Sequence, residues 1–240
     1  FEGKISLSAG YQDSLTGESR NFQKTEGMDI LGFGSSGDRK IPSLVKDNES
    51  ALAKEQLSNS DKTTLANQLP SNLSTEEITV MPDLSFEMSL GDTIYEDGVK
   101  TIGYTGSVKY SNEWSSQDSQ RASYFFDGED LEVQDSFDYI RTSNDINLGA
   151  GLSLGMIYGE SEYTSNSMLL RQTLAETTDI TGIVGDQQRN VDRTNMRWLE
   201  RQFLMQQFTG DHYLAFSYPT QIAWQVSLSQ ASLDAPDDRS

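Results

Sequence analysis

Large apolar residues alternate with small or polar residues along much of the chain, most clearly near its end. The large members there are Ile222, Trp224, Val226 and Leu228, and small or polar residues stand between them. Successive side chains of a strand point to opposite faces, so this pattern predicts a strand with one apolar and one polar face.

Six earlier segments show the same alternation. They cover about residues 5–11, 84–90, 102–110, 146–154, 163–173 and 198–209. Turn residues separate some neighbours closely, at Glu96-Asp97-Gly98 and at Gly159-Glu160. Two strands joined by a short turn form a hairpin. Each segment is close to the length of about 10 residues that a membrane-crossing β-strand needs.

Three long polar stretches lie between these strand pairs, at about residues 13–79, 112–141 and 174–196. We interpret them as loops, with at most short helices between residues 43 and 69, where the apolar stripe is thin. Alternating short and long connections are typical of outer-membrane barrels and not of soluble sandwiches. The predicted fold is therefore all-β: about seven strands of an antiparallel transmembrane β-barrel, with long polar extracellular loops.

Composition narrows the class of protein without contradicting this fold. Only 35% of the 240 residues are hydrophobic, and no apolar run approaches the roughly 18 residues of a membrane helix. A barrel needs only alternating strands, so its overall composition stays polar. The absence of cysteine excludes disulfides and thiol chemistry. A net charge of −19 argues against a nucleic-acid partner, whose phosphates it would repel.

Aromatic residues stand near several predicted strand ends. They are Tyr11, Tyr110, Trp114, Tyr158 and Trp198. Aromatic girdles occupy the two membrane interfaces of a barrel, which is where we expect these residues. Strand propensity alone is the alternative explanation.

Candidate chemistry is sparse. His212 is the only histidine and has no second histidine or cysteine to form a metal site or a triad; we expect it at a periplasmic turn. An acidic cluster between Asp127 and Asp138 lacks the spacing of a calcium-binding EF-hand and is interpreted as a solvated loop. Glu87 and Lys109 are expected to face the barrel lumen. We therefore predict no enzyme, no catalytic residue, no metal and no cofactor.

One segment resembles a motif of TonB-dependent outer-membrane receptors. Asp29-Ile30-Leu31-Gly32-Phe33-Gly34, followed by Asp38-Arg39-Lys40-Ile41-Pro42, is similar to their Asp-Trp-Leu-Gly-Phe-Asp-Asp-Gly-Thr-Arg-x-x-Pro segment, which lies in the first long loop of the barrel. Ile30 replaces the usual Trp, and Gly34-Ser35-Ser36 replaces the acidic pair. The matching positions are Asp29, Leu31, Gly32, Phe33, Arg39 and Pro42.

Later segments resemble the same family, in the family's order. Leu199-Glu200-Arg201 and Phe208-Thr209-Gly210-Asp211-His212 are similar to its Thr-Glu-Arg and Gly-Glu-His stretch. Ile222-Ala223-Trp224 and the segment from Asp234 to Arg239 resemble its Leu-Asp-Trp and Glu-Pro-Asp-x-Arg run. The matching positions are Glu200, Arg201, Gly210, His212, Trp224, Pro236, Asp237 and Arg239.

The resemblance implies that residues 1–240 form the N-terminal part of a receptor barrel domain in the bacterial outer membrane. The plug, the TonB-contacting segment and the remaining strands of the roughly 22-stranded barrel would lie outside the chain, which begins at Phe1 and which we interpret as an internal fragment.

Implied partners are outer-membrane lipid, the TonB inner-membrane complex through upstream segments, and a small-molecule, glycan or peptide ligand whose binding residues are unassigned. The motif from Asp29 to Pro42 would fold into the barrel mouth against the plug, or be an ordinary surface turn. The alternatives are another outer-membrane pore and a soluble or surface β-rich binding domain.

Overall fold

A computed structural model describes residues 1–25, 27–34, 39, 42–68, 74–185, 189–215 and 218–239, with the backbone alone for residues 49 and 236–239. Its nine strands are β1 (Glu2–Gly10), β2 (Ser19–Gln23), β3 (Thr75–Thr79), β4 (Asp83–Glu96), β5 (Lys100–Phe126), β6 (Leu131–Tyr158), β7 (Ser161–Val184), β8 (Arg189–Leu214) and β9 (Thr220–Arg239). All seven strands predicted from the alternation are present.

Seven of these strands form one antiparallel sheet in the order β1-β4-β5-β6-β7-β8-β9. Each strand after β4 pairs with the next along the chain. Within the described residues β1 and β9 are the two edges and do not pair with each other, so the sheet is open and not closed into a barrel. The predicted all-β antiparallel architecture is confirmed.

The predicted loops at residues 112–141 and 174–196 are wrong. β5 and β6 continue through the first stretch to a turn at residues 127–130, and β7 and β8 fill most of the second. Polar side chains bond across the strands there, as Gln120 Nε2 does to Asp138 Oδ1 (3.0 Å) and Ser123 Oγ to Asp135 Oδ2 (2.9 Å). Backbone ladders continue without an apolar face, so the alternation marks only the apolar part of each strand.

Tight turns close the β4–β5, β5–β6 and β6–β7 hairpins. Gly98 (φ +83°) and Gly159 (φ +58°) lie at the two predicted turns, where positive φ favours glycine. At the opposite end of the sheet, Asp127 Oδ1 accepts the backbone N–H groups of Asp130 and Glu129, both at 2.8 Å. These bonds stabilise the carboxylate and lower the pKa of Asp127 below its ordinary value.

The connection between β1 and β4 folds back over the sheet. It contains the two-stranded ladder of β2 and β3, a 3₁₀ helix η1 (Gly27–Leu31), and the helices α1 (Ser43–Asp47), α2 (Glu49–Ala53) and α3 (Asn59–Ala66). The prediction of short helices is confirmed. None of the helices in the described part of the chain has the length and apolar composition to cross a bilayer.

The sheet has two faces of different character, because directly paired residues of antiparallel strands share a face. The apolar face carries Leu7, Phe86, Met88, Val108, Ala150, Leu152, Leu154, Leu169, Leu204, Phe208, Val226 and Leu228. The polar face carries Ser85, Glu87, Ser107, Lys109, Asn147, Gly149, Ser153, Asn166, Gln207, Gln225 and Ser227. The contrast weakens on β7 and β8, where Leu170 and Phe203 lie on the polar face.

Candidate functional site

Residues 27–34 and Arg39, which we call the docked loop, lie against the apolar face of the sheet. Sheet side chains donate hydrogen bonds to its backbone carbonyls: Tyr110 Oη to Ile30 (2.6 Å), and both Thr173 Oγ1 (2.7 Å) and Arg171 Nε (2.9 Å) to Gly32. The loop is thus fixed to strands β5 and β7, more than 75 residues away along the chain.

Two glycines allow the close approach of the docked loop. Gly32 ends η1 with φ +77°, and a Cβ there would lie 2.8 Å from Thr173 Oγ1. A Cβ on Gly34 would lie 2.2 Å from Trp198 Cε2. Neither distance is tolerable for a carbon atom, so a larger residue at either position would lift the loop from the sheet.

Gly32→Ala is expected to lower the free energy of unfolding by about 2 kcal/mol or more, because it adds a steric clash to the strain of a left-handed residue. Gly17→Ala is the matched control: its φ is +88°, but no atom lies within 4 Å of the added Cβ. It should cost only the strain, about 1–2 kcal/mol. Urea unfolding followed by tryptophan fluorescence measures both; equal losses would show that the contact with Thr173 is not tight.

Glu200 of β8 is the centre of the contact. Its Oε1 accepts the backbone N–H of Gly34 (2.7 Å) and the indole Nε1–H of Trp198 (2.8 Å), while Oε2 pairs with the guanidinium of Arg171. The glutamate is buried. A buried carboxylate is stable only when its oxygens are paired and hydrogen-bonded, and here both oxygens are.

A second buried ion pair lies within the docked loop. Asp29 and Arg39 pair directly, and both are buried. The Arg39 guanidinium lies 4.2 Å from the centre of the Trp198 ring, and the Arg171 guanidinium lies 4.3 Å from that of Phe33. Cations over aromatic faces are attracted by the ring quadrupole, so each arginine joins the loop to the sheet through a charge and a ring.

A small core lies beside the docked loop, where β2 packs on the sheet. Phe22, Ala175 and Trp198 are buried together, and Trp114 meets Phe22 edge to face with ring centroids 5.0 Å apart. The predicted girdle position of Trp198 is therefore wrong, because its ring is buried inside the protein, while Trp114 is half-buried against Phe22. Tyr11 and Tyr158 are exposed, and Tyr110 bonds to the loop.

The structure brings together five of the motif positions predicted from the sequence: Asp29, Gly32, Phe33, Arg39 and Glu200. Leu31 is exposed beside them, and Pro42 stands immediately before α1. Arg201 lies on the opposite face and donates to Gln172 Oε1 at 3.2 Å. The motif residues Asp38, Lys40 and Ile41 lie outside the described residues.

Three further motif positions form a separate cluster near the short-turn end of β8. The Trp224 ring covers Gly210, where a Cβ would lie 2.4 Å from Cε2, and its Nε1–H donates to His212 Nε2 at 2.9 Å. His212 meets Tyr163 edge to face at 5.0 Å. Its ring is thus a hydrogen-bond acceptor in an aromatic cluster, two residues before the end of β8.

The remaining three positions are described through their backbone only. Pro236 lies at the bulge of β9, while Asp237 pairs with Trp198 and Arg239 with Met196. The end of β9 therefore continues the sheet beside the strand that carries Glu200.

The docked loop lies on the face of the sheet opposite to the residues that we expect to line the lumen. Glu87 and Lys109, which were expected to face the lumen, lie on the polar face, whereas the loop packs on the apolar face. In a barrel whose apolar face points to lipid, this loop would lie on the outer wall and not in the mouth. A lumen that contains Glu87 and Lys109 and a docked loop that lies in the barrel mouth are therefore incompatible in this structure.

Sequence reasoning missed Arg171, Thr173 and the packing role of Trp198. A signal was present, because Arg171 follows Leu169 on the apolar face, where a charged side chain requires a partner. In the described part of the chain, no three histidine, aspartate or glutamate side chains are grouped so that they could hold a metal ion. The arrangement attaches a loop to a sheet, since its polar groups are directed at one another.

Compared with family models, curated proteins and solved structures, the chain matches none of them.

Proposed function

We propose that the chain forms part of the barrel wall of a TonB-dependent outer-membrane receptor, which takes up a scarce solute into the periplasm. The observation that carries this proposal is the band of exposed apolar side chains across the apolar face, which we call the apolar band. Val108, Leu152, Val226 and Leu228 are among its exposed members. Water-soluble monomers rarely expose a continuous apolar area of this kind.

The height of the apolar band suits a bilayer. On β6 it runs from Leu148 to Tyr158 on one face. At about 3.4 Å per residue this is about 34 Å along the strand, or about 24 Å at the tilt of about 45° that membrane strands adopt. Outer-membrane barrels carry an apolar band about 25 Å tall.

The family assignment within this proposal rests on the resemblance and on one contact. The segment around Asp29 and the segment around Glu200 were matched separately to the family's motifs, and the two meet in a single buried network. Chance matches of short motifs have no reason to lie in contact. The network therefore favours the interpretation of both segments as parts of one inherited feature.

In this proposal the chain forms part of the barrel wall and of the receptor's outer surface, and it catalyses no reaction. The turns at Gly98 and Gly159 face the periplasm. On the outer side, β5 to β8 extend about 12 residues beyond the level of β1, or about 40 Å along the strands. The ligand is bound by surface parts of the receptor, and TonB supplies energy through segments outside the chain.

A bilayer-insertion assay tests the membrane part of the proposal. The complete chain, refolded with phospholipid vesicles, is expected to float with them through a density gradient after an alkaline carbonate wash, and to aggregate without lipid or detergent. A clean monomer in buffer that does not bind vesicles would overturn it. The reading frame upstream of Phe1 tests the receptor part: a plug domain is expected, and a barrel without one would favour a passive pore.

The soluble β-rich binding domain remains the second candidate because one observation favours it. The connection between β1 and β4 packs on the apolar face and buries Phe22 against Trp198, as a soluble domain would cover its sheet. This cover reaches only one part of the face, however, and leaves the apolar band exposed. The same vesicle assay separates the two candidates.

A further inference from the structure

The 3₁₀ helix η1 has its apolar side chains outside and its charged side chain inside. Met28, Ile30 and Leu31 are 51%, 62% and 39% exposed, whereas the carboxylate of Asp29 is 2% exposed. In a loop surrounded by water the reverse is normal, because aspartate is almost never fully buried and apolar side chains leave water. The outward side of η1 therefore suits an apolar environment.

η1 lies at the border of the apolar band, so an apolar environment is next to it. The carbonyl of Ile30 is bonded to Tyr110, at the upper border of the apolar band, and η1 also contacts β6. Below Tyr110 on the same face of β5 lies Val108, which is exposed. The exposed side chains of η1 thus continue the apolar band at its border.

The docked loop also removes polar groups from this border. Arg171 and Glu200 lie on the apolar face. Arg171 is directly above Leu169 along β7, and Glu200 is above Leu204 along β8, with Gln202 between them. Phe33 covers the guanidinium of Arg171, and the backbone N–H of Gly34 binds Glu200. The loop therefore covers a charged pair, which would be costly beside lipid, and presents apolar side chains in its place.

We propose that η1 is a lipid-contacting element, in which Met28, Ile30 and Leu31 touch the acyl chains of the outer leaflet. The inference rests on the proposed function, because the lipid is the one that surrounds the apolar band. It adds a specific surface to that function. A loop segment, and not strands alone, forms part of the membrane boundary, and the buried Asp29–Arg39 and Arg171–Glu200 pairs hold it there.

Spin labelling tests this inference cleanly, because the chain has no native cysteine. Nitroxides are attached at Ile30→Cys, at Val108→Cys in the apolar band, at Ser107→Cys on the opposite face, and at Ser60→Cys in α3 of the same connection. All four side chains are solvent-facing in the isolated chain, so labelling should not disturb folding. The ratio of oxygen to nickel-complex accessibility in phospholipid vesicles reports contact with acyl chains.

The expected result is a several-fold higher oxygen-to-nickel ratio at Ile30 and Val108 than at Ser60 and Ser107. A high ratio at Val108 with an Ile30 ratio equal to that of Ser60 would overturn the inference and leave the proposed function standing. Low ratios at both Val108 and Ile30 would overturn the proposed function and the inference together. A Met28→Cys label repeats the Ile30 measurement at a second side chain of η1.

Discussion

Replacing Glu200 with alanine is expected to lower the free energy of unfolding by about 3–5 kcal/mol, because it leaves a buried charge without its partner. Arg171 would keep only its bonds to Gly32 and Gln202, and the N–H groups of Gly34 and Trp198 would both lose their acceptor. The loss should be accompanied by release of the docked loop, seen as new protease cleavage between residues 27 and 39.

Urea unfolding of the complete chain in detergent, followed by the fluorescence of its tryptophans, measures this change. Glu176→Ala is the matched control, because Glu176 pairs with Arg141 at 3.7 Å on the polar face and their side chains are 21% and 51% exposed. A partly exposed pair of this kind, at a distance of 3.7 Å, contributes about 1 kcal/mol or less.

A paired apolar substitution makes the Glu200 experiment specific. The double variant Arg171→Met, Glu200→Leu removes both charges and should recover much of the loss, since replacing a buried ion pair by apolar side chains is often neutral. Equal losses for Glu200→Ala and Glu176→Ala would contradict the buried network. So would a double variant that is less stable than Glu200→Ala alone.

Val108→Arg is expected to cost about 2–4 kcal/mol in a phospholipid bilayer, because in the proposed barrel it places a charge on the lipid-facing side of β5. Ser107→Arg is the control, since Ser107 is the next residue of β5 and points to the opposite, polar face. Its cost should be small. Equilibrium unfolding of both variants from vesicles gives the two free energies.

The same pair of variants distinguishes a membrane barrel from a soluble domain. Val108 is exposed in the isolated chain, so in a soluble domain its replacement by arginine would change stability by no more than about 0.5 kcal/mol, like other surface substitutions. A difference of less than this between Val108→Arg and Ser107→Arg would contradict the barrel proposal.

The apolar parts of the strands can be predicted from the sequence, because alternation with a period of two residues is a local signal. Ile222 to Leu228 and Ile146 to Leu154 were assigned to strands on that basis, and both segments lie in strands. The halves of β5 to β8 that lie away from the turns at Gly98 and Gly159 are not predicted from the sequence. Apolar and polar side chains do not alternate there, as around Gln120 and Ser123. Cross-strand bonds to side chains 12 and 18 residues away help to hold their strand conformation, and alternation within one segment does not reveal these bonds.

For a related reason, the sequence predicts several residues of the candidate site but not the contacts between them. Gly32, Arg39 and Glu200 were singled out by their resemblance to short motifs, but nothing local indicated that they touch. The sequence predicts an interfacial girdle position for Trp198, because a tryptophan at a strand end prefers a membrane interface. Its burial depends instead on the ring of Phe22 and the guanidinium of Arg39, which come from a connection whose path alternation does not predict.

The docked loop is expected to attach late in folding, because its partners on the sheet are far from it along the chain. From β5 to β9 each strand pairs with the strand immediately before it in the chain, so these contacts are close in sequence and closing each one costs little chain entropy. The docked loop instead requires Arg171 and Glu200, from strands made well over a hundred residues later. Its attachment must therefore follow the pairing of β7 with β8. A segment that is synthesised before β4 to β9 is thus among the last to reach its place.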